Sequence, residues 1–156
     1  VSVLRANIRE AAVSVLKAAN TLAGQSVAEH PFNDRPVARS FVVEDFGAKH
    51  SEGNVTEAQE LLSEFDGDVL RRYRFCVIAE AVGGSNPQRD RDVMCGQAEA
   101  ALVAAVLGDQ LGAAKSIQLA GYAADDHNDA DAPIRRGLQV FEVTYITAAG
   151  APSTSL

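Results

Sequence analysis

Apolar residues return at three- and four-residue steps near the start of the chain, at Leu4, Ile8, Ala11, Ala12, Val15, Leu16, Ala19 and Leu22, while Arg5, Arg9, Glu10 and Lys17 stay off that stripe. The period puts one apolar face on a helix, predicted over residues 2–22 with Ser2 as its cap and Gly24 just past its end. After the turn signal Phe32-Asn33-Asp34-Arg35-Pro36 the period changes to two. Val37, Arg39, Phe41 and Val43 alternate with Ala38, Ser40, Val42 and Glu44, which predicts a strand. The clearest alternation lies over residues 71–82, where Tyr73, Phe75, Val77, Ala79 and Ala81 share a side with Arg71, and Arg72, Arg74, Cys76, Ile78 and Glu80 share the other. Gly83-Gly84-Ser85-Asn86-Pro87 then breaks the strand. A second, alanine-rich helix follows to Leu107 and stops at Gly108, with an expected buried face of Val93, Met94, Gln97, Ala101, Leu102, Ala105 and Val106. Two more strands are predicted, over 117–122 and 138–147.

Between these elements lie two polar stretches. Residues 44–68 form a long predicted loop with Gly47, Gly53 and Gly67, relieved by one or two helical turns over 56–65 capped by Thr56. Residues 125–131 (Asp125-Asp126-His127-Asn128-Asp129-Ala130-Asp131) form an acidic loop. The tail at 148–156 is small, polar and expected to be flexible. The whole predicts one domain over 1–147 of α+β class, a mainly antiparallel sheet of about four strands with two main helices packed on one face.

Composition narrows the function classes. The chain has 156 residues, 14 of them basic and 21 acidic, giving a net charge of -7, so counterion release from phosphates is not the main source of binding energy and nucleic acid is not an expected ligand. No apolar run reaches the length of about 18 residues needed to cross a bilayer, and no signal-peptide pattern opens the numbered chain. Cys76 and Cys95 are expected as buried thiols in a reducing compartment.

Catalytic patterns are absent. No Ser sits in a G-x-S-x-G elbow, Gly83-Gly84 lacks the Lys-Ser/Thr of a phosphate cradle, and His30, His50 and His127 form no zinc spacing. No cofactor, metal or catalytic residue is expected. A small metal- or ligand-binding domain using Asp125, Asp126, His127 and Asp129 is the alternative from another class, although the run lacks the Gly and Glu of an EF-hand loop. Arg71, Arg72 and Arg74 have two readings: a charged guard on a strand edge, or a contact to an acidic neighbouring subunit.

The order of these pieces resembles the tail terminator proteins of long-tailed bacteriophages, the lambda-type minor tail protein U family. The resemblance is carried by Leu4-Arg5-Ala6 opening a helix, Phe32-Asn33-Asp34-Arg35-Pro36 before the first strand, and a polar excursion ahead of Tyr73-Arg74-Phe75-Cys76-Val77-Ile78. A helix, Leu119-Ala120-Gly121-Tyr122, an acidic loop and the closing strand 138–147 complete it. Where the family often has a Leu-Pro pair, this chain has Arg39-Ser40-Phe41. The resemblance implies a non-enzymatic virion subunit, present in the host cytoplasm during assembly, that forms a hexameric ring on the head-proximal end of the tail tube. There it stops tube growth and offers a surface to neck or head-completion proteins, while DNA passes through the channel without specific binding. Another neck subunit is the alternative within the class. On this reading Arg71, Arg72, Arg74, Lys49, His50 and Glu52 are expected at subunit or tube contacts, and Asp125, Asp126, Asp129 and Asp131 face the channel.

Overall fold

The computed structural model describes residues 4–30, 38–47, 56–61, 67–129, 132–148 and 150–151, with the backbone alone at 59–61 and 127–129. In chain order its elements are α1 (Leu4–Ala18), β1 (Val27–Ala28), β2 (Arg39–Asp45), β3 (Glu57–Leu61), β4 (Asp68–Val82), α2 (Pro87–Leu107), β5 (Ser116–Asp129) and β6 (Ala132–Ala148). The sheet runs β1-β2-β4-β6-β5, with β3 also paired to β4. Every pairing is antiparallel except β1 with β2. The α+β class agrees with the sequence reading. The sheet, however, has six strands rather than about four.

Alternation along β4 divides the two faces of the sheet. Tyr73, Phe75, Val77 and Ala79 are fully buried with Phe41, Val43, Phe141, Val143 and Tyr145, and both helices lay Ile8, Leu16, Met94 and Leu102 onto that layer. The rings of Tyr73, Phe75 and Phe141 stack in series at centroid distances of 5.9 and 5.7 Å. Each such burial contributes roughly 1.5–3 kcal/mol. On the opposite face a smaller cluster forms from Phe46, Cys76 and Val140, flanked by Ile78 and Leu138.

The helices carry the expected signals with one change of phase. Asn86 caps α2 by accepting the Arg89 N–H at 3.1 Å, Pro87 opens the helix, and the Gly108 N–H closes it by donating to the Ala104 carbonyl at 3.0 Å. Gly83 and Gly84 make the turn before it with φ of +67° and +77°, which explains why two glycines stand there. The buried stripe is Arg91, Met94, Cys95, Ala98, Leu102 and Ala105, and Val93 is exposed. The expected face was rotated because alanines surround this helix and leave the apolar pattern with no strong direction. In α1 the buried side chains are Leu4, Ile8, Ala12 and Leu16, and the helix ends at Ala18, short of the expected Leu22.

Two stretches expected as loops contain strand. The segment 56–65, expected as helical turns, holds β3, whose Glu57–Leu61 residues pair with Tyr73 to Val69 of β4. Glu-Ala-Gln-Glu-Leu favours helix by propensity, and the open edge of β4 overrides it. The acidic stretch likewise continues β5, with Asp125 opposite Arg136 and Asp126 opposite Arg135 of β6, so that basic cross-strand neighbours make the carboxylates acceptable in a sheet. Of the expected tail, Ala148 ends β6 and 150–151 are described; 152–156 lie outside the described residues.

Candidate functional site

The most structured feature outside the core is the neck of the long excursion. β2 ends with Asp45 opposite Phe75, and β3 begins with Glu57 opposite Tyr73. The Phe46 N–H donates to the Arg74 carbonyl at 3.2 Å, and the Arg74 N–H donates to the Thr56 carbonyl at 2.8 Å. β2 and β3 therefore lie end to end along β4, meeting at the backbone bonds of Phe46 and Thr56 with Arg74. The two sides of the neck are close: a Cβ on Gly47 would lie 2.8 Å from Thr56 Oγ1.

Each stem carries a carboxylate held by a tyrosine and an arginine. Tyr73 donates its hydroxyl to Asp45 Oδ1 at 2.5 Å, and Arg9 Nη1 of α1 donates to the same carboxylate at 2.6 Å and to the Tyr73 oxygen at 3.0 Å. Arg9 Nε reaches Glu29 at 3.1 Å. On the other stem Arg71 Nη1 donates to Glu57 Oε1 at 2.9 Å and Tyr145 donates to Glu57 Oε2 at 2.8 Å, with Arg5 at 3.7 Å. Burial, then the hydrogen bond to Asp45, pushes the Tyr73 phenol above its ordinary range; burial, then the bond to Glu57, does the same to Tyr145.

The three arginines expected at contacts are separated by the alternation of β4. Arg71 faces the core and is 4% exposed, with Nε donating to Thr147 Oγ1 at 2.7 Å and Nη1 bound to Glu57. Arg74 lies on the opposite face and pairs with Glu142 at 2.9 Å, which also accepts from Gln118 at 3.4 Å. Arg72 is the exposed member and borders a hollow of about 150 Å³ with Ser116, Gln118, Glu142 and Thr144. Lys49, His50 and Glu52 lie outside the described residues.

The acidic run is split in the same way. Asp125 faces away from the helices and meets Arg136 at 3.3 Å, and Arg136 also binds Glu80 at 2.6 Å. Asp126 faces α2 and accepts from the buried Arg91 at 2.6 Å, while Arg91 Nε donates to Asp92 at 3.1 Å. Adjacent carboxylates on opposite faces of a strand cannot share one ion. Among the described residues no group of three His, Cys, Asp or Glu side chains is placed to hold a metal. Asp129 ends β5 and Asp131 lies outside the described residues.

Both cysteines are buried thiols outside any disulfide, and burial pushes Cys95 up to about 11. A groove at the start of α2 is lined by Asn86, Gln88, Arg89, Asp92 and Val93, all exposed, and so has no desolvated pocket wall. Among the described residues no helix is long and apolar enough to cross a membrane.

Arg9, Asp45, Tyr73, Glu57, Tyr145 and Arg91 were not singled out from the sequence. A signal existed for two arginines: Arg71 has the core parity of β4, and Arg91 stands three residues before Met94 on the buried stripe. For Asp45 and Glu57, nothing local marks the far partners that hold them.

The described face of helices over a six-stranded sheet has a counterpart in a solved assembly. Its fold is similar to that of one chain in the virion of a native gene transfer agent particle. The likeness has a TM-score of 0.52 at 15% identity, and covers 90% of this chain and 96% of that one. It establishes a shared fold over nearly the full length of both chains. No protein-family model and no curated protein matches the sequence.

Proposed function

We propose that this chain is a structural virion subunit, a tail terminator that forms a hexameric ring on the head-proximal end of a tail tube. The observation that carries the reading is a coincidence of two likenesses. The order of sequence elements resembles the terminator family, and the fold is similar, end to end, to a chain of a gene transfer agent virion.

In this reading the two fixed stems present the chain between Gly47 and Thr56, with Lys49, His50 and Glu52, to a neighbouring subunit or tube ring. Arg72 is the most exposed of the three β4 arginines, whereas Arg71 is buried on Glu57 and Arg74 pairs with Glu142. The acidic end of β5 and β6 faces the channel, where negative charge keeps passing DNA from adhering. A ring that matches the tube below and does not reproduce its surface above ends polymerisation.

The test is electron microscopy of tail tubes assembled with and without the purified protein. Six-fold rings at one tube end, with overgrown tubes when the protein is omitted, are expected. Binding to portal-bearing heads and not to tubes would make it a neck subunit instead; binding to neither would overturn the reading.

A further inference from the structure

Strand β5 forms one edge of the sheet, and nearly all of its residues from Gln118 to Asp126 are exposed. Edge strands of this length are usually guarded by lysine, proline or an inward charge. Residues 117–124, Ile-Gln-Leu-Ala-Gly-Tyr-Ala-Ala, carry none of these. Leu119 and Tyr122 are 38% and 49% exposed, and α2, packed against β5, exposes Val93, Val103 and Leu107.

The register of β5 makes this edge complementary to itself. Leu119 lies opposite Phe141 and Gly121 opposite Val140, so Ala120 is an extra, bulged residue. The bulge shifts the alternation, and Leu119 and Tyr122, three apart, share the helix-covered face. We propose that the free protein forms a two-fold dimer in which β5 pairs antiparallel with β5 of a second copy, centred on Gly121. That register places Leu119 opposite Tyr122 and Ile117 opposite Ala124 on the helix side. It also puts the exposed Lys115 opposite Asp126, each contact occurring twice. Asp126 keeps Arg91 as its internal partner and gains a second cation. The next registers that keep faces matched, in either direction, remove the Lys115–Asp126 opposition, so charge selects this one.

The pairing differs in symmetry from the ring contacts of the proposed function. A two-fold pair closes on itself, whereas a ring needs head-to-tail contacts; the dimer covers β5 in the unassembled pool. One strand pair falls in the class of small interfaces, below about 1,200 Å², that associate weakly and reversibly.

Sedimentation velocity across a concentration series tests it, with the mass expected to rise from 16.5 kDa toward twice that value. Lys115→Glu should weaken association about tenfold, since two attractions become two repulsions. Gly121→Cys fixes the register: a Cβ there meets nothing within 4 Å of its own subunit, and directly opposed Cβ atoms lie about 4.5–5.5 Å apart. Mild oxidation should link that variant covalently, and Ala124→Cys, which faces Ile117 and not itself, should stay unlinked. A monomer at every concentration, equal linking of both variants, or no effect of Lys115→Glu would each overturn the dimer. A six-subunit mass without the Gly121→Cys link would overturn it too, while leaving the ring reading in place.

Discussion

Replacing Arg71 with methionine tests whether the stem of β3 is held by a buried ion pair. The Arg71 and Glu57 side chains are 5% and 9% exposed and meet at 2.9 Å. Removing the guanidinium leaves Glu57 with the Tyr145 hydroxyl at 2.8 Å and the distant, 43% exposed Arg5 at 3.7 Å. Breaking a buried pair by removing one partner costs about 3–5 kcal/mol, because the remaining charge is uncompensated. Glu57→Leu should cost a similar amount by stranding Arg71, which keeps Thr147 among its described partners. The double variant Arg71→Met/Glu57→Leu removes both charges of this pair. It leaves the Tyr145 and Thr147 hydroxyls short of one partner each, at about 1–3 kcal/mol per group. The double variant should therefore cost clearly less than the sum of the two single ones, with a coupling energy of about 2 kcal/mol or more. Urea denaturation followed by circular dichroism measures all four proteins on one scale. An Arg71→Met cost under about 1 kcal/mol, or a double variant equal to the sum of the singles, would refute the buried pair.

Three further outcomes are expected. Tyr73 and Tyr145 have phenols raised above the ordinary 10.0 by burial, so the unfolded chain loses these protons first. Stability should be flat with respect to these groups below pH 10 and fall as pH rises above it, and an unfolding midpoint that holds steady through that range would count against the two hydroxyl bonds. Cys95, pushed up to about 11, and the fully buried Cys76 should not react with a thiol reagent at neutral pH in the native protein, and both should titrate in denaturant. Asn86→Ala removes the acceptor for the Arg89 N–H and should cost about 1 kcal/mol in chemical denaturation, whereas Asn86→Asp or Asn86→Ser should cost much less.

Local rules carried α1, α2, its cap and the centres of β2, β4 and β6, because each rests on a period or a capping pair within a few residues. They did not carry β3, where a helix-favouring stretch is held extended by residues 69–73, or the far half of β5, where the partners of Asp125 and Asp126 are Arg136 and Arg91. The candidate contact residues show the same limit. A run of arginines looks like one basic patch in sequence, yet strand alternation sends Arg71 into the core and Arg72 and Arg74 to the other face. Alternation sets the face of each arginine, but its distant carboxylate partner leaves no mark in the local sequence.

Shortening the chain at the neck tests what the fold requires against what assembly requires. Among the described residues, Asp45, Phe46, Thr56 and Glu57 tie the neck to α1, β4 and β6. Its two sides nearly touch at Gly47 and Thr56, so a short turn can join them. Replacing 48–55 by Asn-Gly shortens the closed segment about fourfold, which lowers the closure entropy by about 1 kcal/mol and favours the folded state slightly. The shortened protein should therefore unfold at an equal or higher urea concentration. Under the proposed function it should at the same time lose its hold on tube ends, since Lys49, His50 and Glu52 are gone. Loss of folding would show that the excursion is part of the body. Full capping by a folded, shortened protein would move the tube contact away from this segment, leaving Arg72 and the surface around it as the place to look.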